Sequence, residues 1–349
     1  MPRVSWCAAS LPSPPAAAKN TLDKFQIIKL IEVTPNHGLS GESVSRVVEV
    51  TNFQLAVGEN LVAKLRLWQM EINEELKKKR FKVPVHLGLG TEALVAAVSL
   101  IVRDSDSLLL THRNAAYNLA RATDPRDVVR EYELSREGTA FGQLGSMNLS
   151  NPESGVVYSS SILGNNISVA CGFAFGQKIS GGNSITVVLT GDGALEEGAF
   201  YEGLVFSKSH DLPLILVVDN NDYSMASAIS QRRCNINLEL FCKSIGIDYL
   251  MLVGNDVNFY VKELEKASGR LRTNSSPMVV EVHTTLLNQH AGPTPGWPTD
   301  PMQVHLSSGL VIAEDVSDPV FVLKEKYGEA TFSNIESKVF SESLRLDKK

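Results

Sequence analysis

The sequence has few cysteines, no long hydrophobic run and no excess of positive charge. The four cysteines among 349 residues form no CxxC pair, which argues against a zinc site or a disulfide framework and favours reduced thiols in a cytoplasmic protein. No apolar run reaches the roughly 18 residues that a membrane-spanning helix needs. The formal net charge of -6 argues against nucleic acid or an anionic membrane as the main partner.

The apolar residues that are present form an alternation of strands and helices. They make up 43% of the chain, which is enough for a sizeable core. Continuous apolar β-branched runs, typical of strands buried on both faces, predict strands over residues 184–190 and 212–219, and further apolar runs predict strands over residues 107–111 and 277–284. Helical spacing and small-residue runs predict helices over residues 57–80, 90–102, 125–136, 164–180 and 195–209. This alternation predicts an α/β fold with a doubly wound, mostly parallel sheet.

One stretch, GDGALEEGAFYEGLVFSKSHDLPLILVVDNN (residues 191–221), has the pattern of a βαβ unit with polar residues after both strands. Its predicted helix is about 22 Å long, and the second strand returns over a similar length. The crossover therefore brings Asn221 to the same sheet edge as Asp192. Open α/β sheets bind their ligands at this carboxyl edge.

The residue types at this edge suit a phosphate that is bridged by a metal ion. Gly191 and Gly193 leave the backbone bare, so that amide N–H groups can approach a phosphate at the helix N-terminus. Asp192, Asn221 and a carbonyl near Tyr223 offer the oxygen ligands that Mg²⁺ prefers. Because only one of these ligands is a carboxylate, the site needs an anionic ligand such as a diphosphate to balance the charge of the metal.

The GDG turn, the 26 residues after it and the NN pair together resemble the thiamine diphosphate-binding motif. Other segments resemble the alpha subunit of the decarboxylating component of 2-oxo acid dehydrogenases, a family that acts on pyruvate, branched-chain 2-oxo acids or acetoin. These segments are HLGLGTEAL (86–94), THRN (111–114), GSM (145–147) and ILGNNISVACGFAFG (162–176). The resemblance extends from about residue 60 to about residue 300.

The resemblance implies a thiamine diphosphate-binding fold and a set of ligand residues. It implies that Mg²⁺ is held by Asp192, Asn221 and the Tyr223 carbonyl. It implies that the diphosphate contacts His112, Arg113, Gly193, Ala194 and His290, and that the aminopyrimidine end contacts backbone atoms of Ser161 and Leu163. His290 is also the expected catalytic residue, over the reaction centre on a long, proline-rich loop.

Two further histidines and two glutamates are interpreted as structural. The structural residues are His86, His283, Glu196 and Glu197, the last two as acids in the first turn of a helix.

On the side of the site where the substrate binds, this chain departs from the family. The family often has histidines where this chain has Ala115 and Asn148, and an arginine and a glycine where it has Leu286 and Gln289. Cofactor binding is therefore a firmer expectation than the family's standard acyl chemistry.

The resemblance also implies a partner and a division of the chain. A separate beta subunit supplies the acid that activates the thiamine ring, in a heterotetramer, and the acyl group passes to a lipoyl acyltransferase. Two alternatives stay open: a split transketolase-like or acyloin-forming enzyme with the same cofactor, and a non-catalytic cofactor-binding subunit. The predicted parts are a partly disordered N-terminal extension (1–55), a thiamine diphosphate-binding α/β domain (56–310) and a C-terminal helical tail (311–349).

Overall fold

The structure is a computed structural model that describes residues 55–293 and 304–346. The predictions for residues 1–54, and for the part of the His290 loop over residues 294–303, lie outside the described residues. Within them the strands are β1 (Ser107–Thr111), β2 (Val156–Ser160), β3 (Thr186–Gly191), β4 (Leu214–Asn220), β5 (Tyr223–Ser224), β6 (Ser227–Ala228), β7 (Asp248–Leu252) and β8 (Met278–His283).

Six of these strands form one sheet in the order β2-β1-β3-β4-β8-β7, with every neighbouring pair parallel. Strands β5 and β6 form a separate antiparallel hairpin. The helices are α1 (Val57–Lys77), α2 (Glu92–Ile101), α3 (Ala115–Arg121), α4 (Pro125–Tyr132), α5 (Asn165–Ser180), α6 (Gly198–Ser209), α7 (Ile229–Arg232), α8 (Leu238–Ser244), α9 (Val257–Thr273), α10 (Pro319–Tyr327) and α11 (Glu329–Phe340). None of the described helices is both long and apolar enough to cross a membrane.

The helices cover both faces of the sheet, which confirms the predicted doubly wound α/β fold. Alternate residues of β3 face opposite sides, so that Val187 and Leu189 join one hydrophobic core and Val188 joins the other. Residues of α1, α2, α9, α10 and α11 build the first core, and residues of α5, α6 and α8 build the second. This two-sided burial is the reason that the central strands are continuously apolar in sequence.

The sequence pattern does not predict strands β2, β5, β6 and β7 or helices α3, α7, α8 and α9, and one predicted helix begins later than expected. Strand β2 contains two serines and β7 is a partly exposed edge strand, so neither shows the continuous apolar pattern of a buried strand. The helix predicted over residues 195–209 begins only at Gly198, because residues Asp192–Glu196 form a separate 3₁₀ turn. Glu197 then adopts an extended conformation, with φ -97° and ψ 135°, that interrupts the helical path.

A buried ion cluster joins three distant parts of the chain. The Arg66 guanidinium in α1 donates to Glu92 Oε1 at 2.7 Å and Oε2 at 3.0 Å, and to Asp318 Oδ1 at 2.9 Å and Oδ2 at 3.0 Å. All three side chains are fully buried. Burial lowers the pKa of Arg66, but the two carboxylates outweigh this effect and raise it above its ordinary value. Because Asp318 also caps α10, the cluster fixes the C-terminal helices against α1 and α2.

Replacing Arg66 by methionine is expected to lower the free energy of unfolding by about 3–5 kcal/mol, because it leaves two carboxylates buried without their counter-charge. Urea denaturation followed by circular dichroism measures this change. Arg126→Met is the matched control, since Arg126 makes an exposed ion pair with Asp124 at 2.6 Å. We expect the control to cost no more than about 1 kcal/mol. Equal losses in both variants would contradict a special role for the buried cluster.

Candidate functional site

A cavity of about 370 Å³ opens at the carboxyl ends of β1, β2, β3 and β4. Every candidate ligand residue named from the sequence lines it: His112, Arg113, Ser161, Leu163, Asp192, Gly193, Ala194, Asn221, Tyr223 and His290. The structure thus brings together residues that are up to 178 positions apart in the sequence, from His112 to His290. Their roles as ligands stay predictions.

The GDG turn and the NN pair meet because β3 and β4 are parallel neighbours in register. Gly191 pairs with Asp219, so Asp192 leaves β3 beside the point where Asn221 follows β4. The backbone at Gly193 lies so close to the β5–β6 hairpin that a Cβ atom there would approach Ser224 Oγ to 2.6 Å. Asn221 Oδ1 accepts the Tyr223 backbone N–H at 3.1 Å, which orients the amide and the start of the hairpin.

Arg113 lies at the centre of the other wall of the cavity. Its Nη1 donates to the Leu87 carbonyl at 2.7 Å and to the His290 carbonyl at 3.3 Å, and its Nη2 lies 3.2 Å from His290 Nδ1. Burial lowers its pKa to about 10, and Asp219 opposes this effect. No described carboxylate is within ion-pair distance of the Arg113 guanidinium, so its charge is available to an anion in the cavity.

Three histidine rings surround the same point. The ring centroids of His86, His112 and His290 lie 4.8 to 5.2 Å apart. Burial, with a smaller contribution from Arg113, lowers their pKa values to about 3, about 2 and about 4, so all three rings are neutral near pH 7. Their nitrogens lie within 4.8 Å of one another, a spacing that a metal ion can use, but the adjacent Arg113 charge favours an anion at this position.

His86 is not the satisfied structural histidine that the sequence suggests. It is buried at the cavity wall, and its Nδ1 has no hydrogen-bond partner among the described residues; the same holds for His112 Nε2. Buried polar atoms without partners are costly unless a ligand satisfies them. His283 lies at the end of β8 with its side chain half exposed, which agrees with a structural position outside the cavity.

Asp192 is buried and paired with Arg232, an arginine that belongs to none of the sequence motifs. Arg232, the last residue of α7, donates from Nη2 to Asp192 Oδ2 and from Nη1 to Glu196 Oε1. Burial raises the pKa of Asp192 to about 6, although Arg232 acts in the opposite direction. Glu196 is therefore part of this charge cluster and not a first-turn helix acid, because the helix starts two residues later.

The glycine-rich segment before β2 is organised by one carboxylate. Glu131, fully buried in α4, accepts the backbone N–H groups of Ala140 and Gly142 on Oε2 at 2.9 and 2.8 Å. Its Oε1 accepts those of Leu144 and Gly145 at 2.9 and 3.1 Å. Four convergent donors hold this segment in a defined path although it has no regular secondary structure.

Four residues of the site were not named as candidate site residues from the sequence: Tyr117, Met147, Asp219 and Arg232. Met147 follows the segment that Glu131 holds and lines the cavity. Asp219 lines the cavity and accepts the Thr284 hydroxyl, and burial raises its pKa. Its position directly before the NN pair was the available signal. Arg232 lies 40 positions after Asp192, and no spacing rule links the two.

The fold and the cavity define a parallel α/β protein with its ligand site at the carboxyl edge of the sheet. Residues 60–298 match the family model of the dehydrogenase E1 component, and the chain belongs to this family. It is 29% identical over 206 residues to the pyruvate dehydrogenase E1 component subunit alpha of Rickettsia bellii, a match that covers 59% of this chain and 63% of that protein. The mitochondrial counterpart of Chaetomium thermophilum is 28% identical over 292 residues, 83% of this chain and 69% of the relative.

A solved structure with a similar fold is the transketolase of Campylobacter jejuni. Its TM-score is 0.51 at 19% identity, and the match covers 66% of this chain and 38% of that chain. At this identity the likeness concerns the fold alone.

The residues of the cavity fit the groups that the family implies. The two unpartnered histidine nitrogens and the buried Arg113 charge suit an anionic, hydrogen-bonding ligand such as a diphosphate. Asp192 and Asn221 provide oxygen donors of the kind that Mg²⁺ binds. The bare backbone at Gly191, where a Cβ would meet no atom within 4 Å, leaves room for close approach of a ligand.

The neutral histidines predict a specific dependence of stability on pH. Because the folded pKa values lie below the ordinary value of 6.5, the unfolded chain binds more protons, and stability is lost as the pH falls from about 6.5 towards 4. His112→Gln is expected to reduce this loss by up to about 1.4 kcal/mol per pH unit. Urea denaturation at about pH 7.5, 6.5 and 5.5 measures the effect.

His210→Gln is the control for this experiment, since His210 is an exposed histidine at the end of α6. We expect the control variant to keep the pH dependence of the wild type. If His112→Gln keeps it as well, His112 is not the buried neutral histidine that the structure describes.

Proposed function

We propose that the chain is the thiamine diphosphate- and Mg²⁺-dependent alpha subunit of an enzyme that decarboxylates a 2-oxo acid and passes the acyl group to a lipoyl carrier. The observation that carries this proposal is the single cavity in which the GDG turn, the NN pair, Arg113 and the histidine cluster meet. Membership in the dehydrogenase E1 component family supports it. The chain matches 63% of the length of its Rickettsia relative, so substrate and partners are part of the proposal.

In this proposal the chain grips the diphosphate end of the cofactor. The Gly193 and Ala194 amides and the Arg113 guanidinium bind phosphate oxygens, and His112 Nε2 satisfies its hydrogen-bonding capacity there. Asp192, Asn221 and the Tyr223 carbonyl hold the metal. The negative charge of Asp219, which also lines the cavity, favours the charged form of Arg113.

The chemistry at the other end of the cavity is shared between the cofactor and neutral side chains. When bound, thiamine diphosphate supplies the carbon nucleophile and the electron sink for decarboxylation of a 2-oxo acid. The backbone at Ser161 and Leu163 orients the aminopyrimidine end. His86 Nδ1 and the His290 ring, both at the cavity wall, hold or move protons near the reaction centre as neutral groups.

A beta subunit completes the site in this proposal. Among the described residues, the carboxylates that line the cavity are Asp192 and Asp219, and both are engaged, with Arg232 and with Thr284. We assign the acid that activates the thiamine ring to the partner, as the family resemblance implies. Apolar side chains at the cavity mouth are exposed in the single chain, Ile162 to 69% and Met225 to 58%, and the partner covers them.

The partner also covers apolar side chains that are exposed on α5 and α6. These side chains are Phe173, Phe175, Ile179, Val205 and Phe206. Gly172 and Gly176, on the same helix, have no neighbour within 4 Å of a Cβ position, so another helix can approach closely. The proposal also keeps a cytoplasmic location, because the described cysteines Cys171, Cys234 and Cys242 are free thiols.

Asp192→Asn is expected to weaken thiamine diphosphate binding at least about 100-fold in the presence of Mg²⁺, because it removes the carboxylate that the proposal assigns to the metal. Isothermal titration calorimetry on the chain purified with a beta partner measures the affinity. Asp211→Asn makes the same change at an exposed residue before β4, at the opposite edge of the sheet, and should bind normally. Unchanged binding by Asp192→Asn would refute the proposed site.

The nature of the acyl acceptor distinguishes the proposed function from two alternatives, a split transketolase-like or acyloin-forming enzyme and a non-catalytic cofactor-binding subunit. The replacement of family histidines by Ala115 and Asn148 favours testing them. The reconstituted complex is given a 2-oxo acid with a lipoyl domain or with an aldehyde acceptor. Lipoyl acylation supports the proposal, and acyloin formation alone supports a split transketolase-like or acyloin-forming enzyme. Cofactor binding with no product from either acceptor supports a non-catalytic subunit.

A further inference from the structure

The metal position of the proposed site already contains a cation from the chain itself. The Arg232 guanidinium contacts Asp192 Oδ2 on one side and Glu196 Oε1 on the other. The Asp192 side chain is 2% exposed and the Arg232 side chain 11%, so the pair is largely shielded from solvent. A buried carboxylate of this kind requires a counter-charge, and Arg232 supplies it.

The segment that carries Arg232 is a short helix with no buried residue and few hydrogen bonds. Helix α7 has four residues, none of them buried, and its backbone begins with a hydrogen bond from Ile229 N to the Asp222 carbonyl at 2.9 Å. The Arg232 side chain adds one bond within the same segment, to the Ser227 carbonyl at 3.0 Å. The two ion pairs of Arg232 are therefore the main charged contacts between α7 and the turn that follows β3.

A divalent cation and Arg232 compete for the same carboxylate. A metal bound to Asp192 places two positive charges within a few ångströms of the guanidinium, in a cavity where charges interact strongly. Arg232 has a second carboxylate, Glu196, whose side chain is 31% exposed and which also lies 3.4 Å from Arg233 Nε. The guanidinium can therefore leave Asp192 without losing all of its negative partners.

We propose that Arg232 is an internal counter-ion for Asp192 that a divalent cation displaces when the cofactor binds, so that α7 moves with cofactor loading. This inference rests on the proposed function, because it requires a metal at Asp192. It predicts that Arg232 lowers the affinity for the metal and, in exchange, stabilises the metal-free chain.

The test is the affinity for Mn²⁺, a paramagnetic substitute for Mg²⁺, in the presence of thiamine diphosphate. Electron paramagnetic resonance of free Mn²⁺ measures it on the full chain with its partner. Arg232→Gln is expected to bind Mn²⁺ about tenfold more tightly than the wild type, because no cation must be displaced. Arg232→Met, which keeps the apolar stem, should behave in the same way and serves as a second neutral variant.

Two controls accompany these variants. Arg233→Gln removes the neighbouring charge, which approaches Glu196 and not Asp192, and should stay within about twofold of the wild type. Arg232→Lys keeps the charge and should remain closer to the wild type than Arg232→Gln. Thermal unfolding in a chelator should show a lower Tm for Arg232→Gln than for the wild type, and a larger gain in Tm when Mn²⁺ and thiamine diphosphate are added.

The outcomes distinguish a failure of the Arg232 inference from a failure of the proposed function. If the wild type binds Mn²⁺ with thiamine diphosphate and the neutral variants bind equally or more weakly, Arg232 supports the metal and the inference is wrong, while the proposed function stands. If neither the wild type nor any variant takes up Mn²⁺ with thiamine diphosphate, the proposed function itself fails.

Discussion

The buried ion cluster of Arg66, Glu92 and Asp318 is the interaction on which the rest of the structure depends. It joins α1, α2 and the cap of α10, and it reaches the cavity through Glu92. Glu92 Oε2 accepts the Gly90 backbone N–H at 2.8 Å, and Glu92 Oε1 accepts from Gln69, whose own Oε1 accepts from the Gly88 backbone at 2.7 Å.

This cluster determines where one wall of the site lies. The segment that it holds carries His86 and the Leu87 carbonyl, and that carbonyl accepts a hydrogen bond from Arg113. A buried charge cluster adds little net stability compared with a well-packed apolar one, but an arrangement that separates its members is costly because it leaves an uncompensated buried charge. In this protein that arrangement places a neutral histidine and a free guanidinium charge against the same point of the cavity.

Those parts of the fold and site that depend on local pattern could be predicted from the sequence. The central strands are continuously apolar because both faces are covered, and the register of β3 and β4 then follows from the crossover, which places Asp192 beside Asn221. The contacts that depend on distant segments could not be predicted. Arg232 reaches Asp192 from a loop with no periodicity, and the exposed edge strand β7 lacks the apolar run that marks a central strand.

The four backbone amides that converge on Glu131 have a consequence for how this chain can vary. The carboxylate accepts these hydrogen bonds from main-chain atoms, so the bonds themselves do not depend on the identity of the side chains between Ala140 and Gly145. Insertions and deletions should disrupt the segment, because the addition or loss of one residue would move the donors out of reach of the Glu131 carboxylate. Gly138 and Gly142 cannot be replaced freely, because a Cβ atom at either position would lie within 2.6 Å of neighbouring atoms. Related chains should therefore differ in the amino acids of this segment while keeping its length.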